Sequence, residues 1–306
     1  MSTILILGGY GAVGRRLGTV LRTRGHLIRT AGRDAARADL PLDVTNPAAL
    51  RAAARDADVV VNATGLEDPA LIAAIAEHTP VVELSADTGY LAALAGLEPA
   101  APVLLSVGIA PGLTNLMTHA VAARYPGTGA LDIAIVFGTG EEHGAAASAW
   151  TYRLLGRDFT DPDGTPVRNL TVAGRFDLDG RTRRLYRADF CDQHTETRLL
   201  GRPVRTWFGM DTGWATTSLA LLARVPALVR LMPSHPRFPG SDRWLLQVRD
   251  ADGPRVTMTG HGQSDATADA AARAIELAPR LSAGVHHLPE VTTLDEFAVP
   301  HRTRWH

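Results

Sequence analysis

The chain has 306 residues, of which 45% are hydrophobic and 21% charged, an ordinary composition for a globular protein. Its formal net charge of −1 gives no general attraction to nucleic acid or to an anionic membrane, so we expect neither partner. Cys191 is the only cysteine, which excludes a disulfide framework and a cysteine-based metal cluster. All 31 residues counted as lysine or arginine are arginine, which excludes catalysis by a lysine side chain.

Targeting segments are not evident in the sequence. The first predicted strand begins at Thr3, which leaves no room for a signal peptide. No apolar run approaches the ~20 residues of a membrane-spanning helix. We therefore expect a cytoplasmic protein.

The most informative motif lies between a predicted strand, Thr3–Leu7, and a predicted helix, Ala12–Thr23. It reads Gly9-x-Gly11-x-x-Gly14, the fingerprint of a dinucleotide-binding turn. Gly9 permits a tight turn, Gly11 lets the backbone approach a pyrophosphate, and Gly14 lets the helix pack closely on the strand. The anion then binds the N–H groups at the start of the helix. The alternative is a glycine-rich turn that binds nothing. We predict cofactor contacts from Gly9, Tyr10, Gly11, Ala12, Val13 and Gly14.

The choice of cofactor depends on Arg33, which follows a second predicted strand, Leu27–Ala31. NAD-binding sites usually carry an acid about twenty residues after the glycine motif. A carboxylate would repel a 2′-phosphate, whereas a guanidinium binds it through charge-assisted hydrogen bonds. NADP(H) is therefore favoured over NAD(H), although Asp34 counts against this and Arg33 could be a solvated charge. Asp43 either contacts the adenine amino group or caps the helix that starts near Pro47.

Strands and helices alternate from residue 3 to about residue 125. Short apolar strands separated by helical segments predict a doubly wound parallel sheet, an α/β Rossmann domain, which we place at residues 1–126. Further strands are predicted at Val59–Asn62, Val81–Leu84 and Val103–Ser106. Further helices are predicted near Pro47–Arg55, Pro69–Glu77, Tyr90–Leu94 and Leu113–Arg124.

The pattern changes in the second half of the chain. Asp179-Gly180 and Asp252-Gly253 each lie between strand-like runs, which is a strong hairpin signal. Residues 127–262 are therefore predicted to form an inserted, mostly antiparallel α+β domain for substrate binding and dimerisation. A helix predicted at Ser264–Arg280 begins a return, residues 263–306, to the first domain.

Three loops follow strands of the predicted parallel sheet, where ligands bind in such folds. They begin at Asn62, Ser85 and Val107, and the third is stiffened and turned by glycine and proline. The alternative for each is ordinary turn chemistry. We predict cofactor contacts from Asn62, Ala63, Thr64, Gly65, Ser85, Asp87, Gly108, Pro111 and Gly112.

Four segments together resemble the saccharopine-dehydrogenase-like reductases. They are Gly8–Arg15, Val60–Gly65, Gly108–Asn115 and Tyr186–His194, and Gly108-x-x-Pro-Gly-x-x-Asn115 is the most specific. The resemblance implies a Rossmann domain, an inserted substrate domain, nicotinamide-dependent chemistry that is commonly at a C–N bond, and a homodimer. The chain is shorter than typical members, which implies a trimmed substrate domain.

Two histidines are candidates for the proton donor that accompanies hydride transfer. His143 lies in Gly140-Glu-Glu-His-Gly144, and His194 follows Asp189 in a polar run. Histidine titrates near neutrality, while cysteine and tyrosine are poor acids there. Asp189 would orient His194 or bind a substrate amine. A surface or core role is the alternative for each histidine. Arg153, Arg187 and Arg198 could clamp a substrate carboxylate, and no histidine spacing predicts a metal site.

The leading hypothesis is an NADPH-dependent oxidoreductase that transfers hydride to a C=N or C=O bond. Its substrate would be a small amino-acid-like molecule. Reduction of a conjugated C=C bond is the alternative within enzymes. A non-catalytic NADP(H)-binding sensor is the alternative outside them.

Overall fold

The computed structural model describes residues 1–140, 151–225, 227, 240–250, 253–297 and 300–306. These residues form two compact units. The first consists of Met1–Leu113 and Ser264–Val299, and the second of Thr114–Gln263 and Pro300–His306. The segment predicted to return to the first domain is thus divided between the two units.

A seven-stranded parallel sheet forms the centre of the first unit. Its order, β3-β2-β1-β4-β5-β6-β15, is the Rossmann order with one strand added beside β6. Strands β4 and β6 are buried at every position, because helices cover both faces of such a sheet. The predicted Rossmann fold is confirmed. Its strands are β1 (Thr3–Leu7), β2 (Leu27–Gly32), β3 (Leu40–Pro41), β4 (Val59–Asn62), β5 (Val81–Glu83), β6 (Pro102–Leu105) and β15 (Gly284–His287).

Five described helices of the first unit lie between these strands in the chain and two follow β15, and several begin at a residue that caps them. The Asn46 side chain accepts hydrogen bonds from the N–H groups of Ala48 and Ala49, so Asn46, not Asp43, caps the second helix. Asp87 caps the fourth helix by accepting from Tyr90 N. The helices are α1 (Ala12–Thr23), α2 (Pro47–Ala54), α3 (Pro69–Ile75), α4 (Thr88–Leu94), α8 (Gln263–Leu277), α9 (Leu288–Val291) and α10 (Leu294–Phe297).

A second seven-stranded sheet forms the second unit, in the order β10-β11-β12-β7-β13-β14-β16. Only the β12–β7 pairing is parallel within the described residues, so the sheet is mostly antiparallel, as predicted. Its strands are β7 (Leu131–Phe137), β10 (Ala173–Leu178), β11 (Arg181–Arg187), β12 (Val204–Met210), β13 (Arg243–Asp250), β14 (Arg255–His261) and β16 (Arg302–Trp305). A separate pair, β8 (Asp158–Thr160) and β9 (Pro166–Arg168), completes the strands.

Both predicted hairpins are present. Asp179 and Gly180 join β10 to β11 with φ values of 50° and 73°, the left-handed backbone that a two-residue hairpin turn requires. Strands β13 and β14 also pair, although Asp252 of their turn lies outside the described residues.

Three helices of the second unit are α5 (Leu113–Arg124), α6 (Cys191–Leu200) and α7 (Gly213–Arg224). Leu113 itself falls in the first unit. Among the described helices, none is long and apolar enough to cross a membrane.

Candidate functional site

The glycine turn after β1 is built as closely packed backbone. The left-handed residue is Gly8, with φ of 74°, and not Gly9, to which the sequence assigns the tight turn. An added Cβ on Gly8 would lie 2.8 Å from the Ala63 carbonyl oxygen, and one on Gly9 would collide with the Thr30 side chain. A side chain at position 9 is therefore excluded, because Thr30 of β2 occupies the space that it would need.

The turn leads directly into α1, whose first turn carries no acidic residue. The first helical hydrogen bond runs from Arg15 N to Gly11 O at 3.0 Å. The N–H groups of Ala12, Val13 and Gly14 come before it in the chain, so the hydrogen bonds of the helix do not use them. A Cβ on Gly14 would lie 2.5 Å from the Gly8 carbonyl oxygen, so the close packing predicted there requires a glycine. This helix start has the donors and the positive dipole end that a pyrophosphate needs.

Tyr10, within the turn, contacts the end of β2. A Cβ on Gly32 would lie 2.5 Å from the Tyr10 ring. The guanidinium of Arg37 lies over that ring, 4.6 Å from its centroid, and donates a hydrogen bond to the Tyr10 carbonyl oxygen at 3.2 Å. Arg37 is therefore fixed beside the glycine turn. Sequence reasoning missed it, although it lies only four residues after Arg33 in the chain.

Arg33 is exposed just after β2, and Asp43 is exposed after β3. Hydrogen bonds from Thr45 lower the pKa of Asp43, and the charge of Arg33 lowers it further by a smaller amount. Arg33 is thus close enough to Asp43 to act on its charge. The Thr45 hydroxyl donates a hydrogen bond to the Asp43 carboxylate at 2.7 Å, and this bond fixes the chain before α2.

A buried network of polar side chains links the loops after β4 and β5. The Asn62 amide donates to the Glu83 carboxylate at 2.7 Å, and the Thr64 hydroxyl donates to the Asn62 side-chain oxygen at 2.6 Å. Ser85 N donates to the second Glu83 oxygen at 2.8 Å. Ala63 N donates to Leu7 O at 3.0 Å, so the predicted loop residues of β1, β4 and β5 lie at one edge of the sheet.

Glu83 is the central residue of this network, and sequence reasoning missed it. Its side chain is buried, and the Tyr90 hydroxyl donates to it at 3.0 Å. Burial raises the pKa of Glu83 to about 7, against the hydrogen bonds from Asn62, Ser85 and Tyr90, which lower it. Burial and the neighbouring Glu83 charge raise the pKa of Tyr90. The carboxyl therefore positions both predicted cofactor loops.

We expect Glu83 to make stability depend on pH. Its pKa is higher in the folded chain than its ordinary value of 4.5, so its stabilising contribution is full at low pH and is lost as pH rises through about 7. The loss should reach about 3 kcal/mol, and Glu83→Gln, which cannot ionise, should not show it. Urea unfolding followed by circular dichroism from about pH 5 to about pH 8 tests this. Glu98→Gln, at an exposed carboxyl, is the control, and equal slopes for wild type and Glu83→Gln would contradict the assignment.

The loop after β6 is tightly folded on itself. Gly108 N donates to Pro111 O at 2.8 Å, and Leu113 N donates to Gly108 O at 3.0 Å. Gly112 has φ of 138°, and an added side chain there would collide with the Gly108 backbone. Gly112 is therefore required by the backbone of this loop, whether or not a cofactor touches it.

A serine and a histidine meet at the base of this loop. The Ser106 hydroxyl oxygen lies 3.0 Å from Nδ1 of His287, and both side chains are buried. The backbone of Ser106 is left-handed, with φ of 60°. His287 ends β15, so this contact ties the added strand to the loop.

In the second unit, His194 and Asp189 form a pair. Nε2 of His194 lies 2.7 Å from a carboxylate oxygen of Asp189, whose backbone N–H donates to Asn169 at 2.7 Å. The side chains are 34% and 23% exposed, so the pair is accessible to a small molecule. The second histidine candidate, His143, lies outside the described residues.

Arg187 is not available as a substrate clamp. It is buried, it forms an ion pair with Asp161, and it donates to the Gln193 side chain at 2.8 Å. Such a buried charge needs these partners, because an unpaired ion is costly inside a protein. Arg187 therefore holds the chain before α6 in place.

A second histidine–carboxylate pair joins α5 to α6, and sequence reasoning missed it. The Asn115 amide donates to the fully buried Glu196 at 2.6 Å, and Nε2 of His119 lies 2.8 Å from the other Glu196 oxygen. Burial raises the pKa of the neighbouring Asp192 to about 6, and the charge of Glu196 adds to this. Asn115 thus supports the α5–α6 contact through a buried carboxylate.

No group of three or more metal-binding side chains occurs among the residues whose structure is described. The Rossmann sheet followed by a mixed sheet defines a class of two-unit α/β folds. Within that class the chain has the fold of the saccharopine-dehydrogenase-like reductases, which confirms the predicted resemblance at the level of fold.

Three solved structures support this assignment of the fold. Apo histidine-tagged saccharopine dehydrogenase (L-Glu forming) from Saccharomyces cerevisiae is similar over 100% of both chains, with a TM-score of 0.62 and 13% identity. Amine dehydrogenase from Mycobacterium smegmatis is similar over 95% of this chain and 96% of its own, with a TM-score of 0.52 and 11% identity. C. glutamicum DAP dehydrogenase in complex with DAP is similar over 95% and 93%, with a TM-score of 0.50 and 16% identity. No family model and no curated protein sequence matches the chain.

Proposed function

We propose that the protein is an NADPH-dependent oxidoreductase that transfers hydride to a C=N bond, or a C=O bond, of a small amino-acid-like substrate. The observation that carries the proposal is the glycine turn at the start of α1. Close packing excludes side chains from this turn, and the first N–H groups of α1 are not used by its own hydrogen bonds. Bound cofactor would supply the hydride. Glu83 would hold the loops after β4 and β5 in place for it.

The proposed substrate class has a separate basis. The three similar structures are named as dehydrogenases of saccharopine, DAP and amines, all of which contain C–N bonds. The second unit offers His194, held by Asp189, as a proton donor, since an imidazole fixed by a carboxylate keeps one orientation and one tautomer. A cytoplasmic homodimer remains part of the proposal.

Stopped-flow absorbance of bound NADPH, mixed with a panel of acceptors, tests the proposed reaction. Imines and 2-oxo acids represent the proposed chemistry, and enoyl thioesters represent C=C reduction. We expect oxidation of NADPH with an imine. Turnover only with the thioesters would replace the proposal with enoyl reduction, and tight binding without any turnover would favour the sensor.

Cofactor preference provides a further test. Arg33→Ala should weaken NADPH binding by about 1.5–3 kcal/mol, the value of a hydrogen bond to a charged group, and should leave NADH binding nearly unchanged. Calorimetric titration of both cofactors measures the difference. Arg55→Ala, at an exposed arginine just after α2, is the matched control. Equal losses for NADPH and NADH would rule out Arg33 as the 2′-phosphate ligand.

A further inference from the structure

A cavity in the second unit lies outside every site predicted above. It has a volume of about 250 Å³ and is lined mainly by β13, β14 and β16, together with the turn between β10 and β11. Its wall contains four arginines, Arg243, Arg255, Arg302 and Arg304.

The pairing register brings these arginines to one face of the sheet. Gln247 pairs with Thr257, and Thr257 with Arg304, so these three side chains form one row across the strands. The next row contains Thr259 and Arg302. Successive residues of a strand point to opposite faces, which puts Arg255, Thr257 and Thr259 on the same side.

Two carboxylates, Asp177 and Asp179, also line the cavity, but most of its arginines form no ion pair with a described residue. Arg243 lies 3.2 Å from Asp179, but Arg255, Arg302 and Arg304 take part in no ion pair among the described residues. Like charges on neighbouring strands destabilise a sheet, so the cluster has a cost that an anion would offset.

The floor of the cavity is polar as well. Gln247 is 2% exposed, and its amide nitrogen donates to the Thr257 hydroxyl at 3.1 Å. Its side-chain oxygen has no hydrogen-bond partner within the described part of the chain. The floor therefore offers polar groups, Gln247 and Thr257, rather than an apolar surface.

We propose that this cavity binds a small phosphate monoester. Arginine binds phosphate through two parallel hydrogen bonds, and three unpaired guanidinium groups around one cavity match a dianion. The volume is below the ~300–1,000 Å³ of sites for drug-sized molecules, which restricts the ligand to a small metabolite. The site uses residues of the second unit only and is independent of the glycine turn.

Calorimetric titration with glycerol 3-phosphate as the probe tests the proposal. Wild type should bind it, and glycerol alone should not bind. Arg304→Gln should weaken binding about tenfold to a hundredfold, the effect of losing a charge-assisted hydrogen bond. Arg184→Gln, at an exposed arginine of β11 outside the cavity, should bind like wild type.

A second variant separates this site from the nucleotide turn. Gly11→Val should bind glycerol 3-phosphate like wild type, because the turn belongs to the other unit. If Gly11→Val abolishes binding of the probe, or if Arg304→Gln leaves it unchanged, the proposal is overturned. A change of oligomeric state in Arg304→Gln, seen by light scattering with unaltered probe binding, would instead assign this face to contact between copies.

Discussion

His194→Asn is expected to slow hydride transfer in a single turnover by about 10²–10⁴-fold, the usual contribution of general acid catalysis. Several titratable side chains near it are poorer donors, and Asp192 is fully buried. Arg187 is committed to Asp161, and burial raises the pKa of the Cys191 thiol far above neutrality. Asp189, 2.7 Å from the imidazole, is better placed to orient His194 than to donate a proton. NADPH affinity should be retained, because neither residue belongs to the unit that carries the glycine turn.

The structure provides a matched control for this experiment. His261 lies 2.7 Å from Asp242 in a pair of the same kind, but its side chain is 67% exposed and lies at the end of β14. His261→Asn should therefore keep the wild-type rate. His143→Asn is measured in parallel as the second candidate. Wild-type rates in both His143→Asn and His194→Asn would mean that a carboxyl group or water supplies the proton.

Gly11→Val is expected to abolish nucleotide binding while the fold is largely retained. Gly11 directly precedes α1, and an added Cβ would lie 3.2 Å from the Gly8 carbonyl oxygen, a tight contact that small movements relieve. The branched methyl groups would then occupy the space in which a pyrophosphate approaches the backbone. Calorimetry with NADPH measures binding, and circular dichroism measures the fold.

Gly213→Val is the control for that substitution. Gly213 is the first residue of α7, and an added Cβ there meets no atom within 4 Å. Gly213→Val therefore reproduces the loss of folding stability caused by a valine at a helix start, and it leaves the nucleotide turn unchanged. Normal NADPH binding by Gly11→Val would refute the assignment of the turn.

The sequence was sufficient to predict the framework of the first unit and some elements of the second. Helix α1 has the predicted bounds because a strong apolar period begins directly after the glycine motif. Helix α5 has them without such a period, because Gly112 precedes it and Pro126-Gly127 follows it closely. The Asp179-Gly180 hairpin was also predictable, since both positions require left-handed backbone. Such signals are local in the chain.

The residues that the sequence did not reveal depend on contacts between distant segments. Glu83 lies within an apolar strand, and its partner Asn62 is 21 residues away. Glu196 is buried by Asn115, 81 residues earlier, and by His119. A single sequence does not indicate which carboxylates become buried, because burial is decided by the pairing of strands and helices.

The position of β15 has a consequence for folding during synthesis. This strand covers the edge of β6, yet Ser106 and its partner His287 are separated by 181 residues. On the ribosome, the backbone groups of Pro102–Leu105 have no strand beside them on that side until the second unit has been almost completely translated. An apolar, unpaired strand edge is a template for aggregation. A nascent chain of this protein therefore needs protection at β6, and a fragment that stops after α5 would expose the same edge permanently.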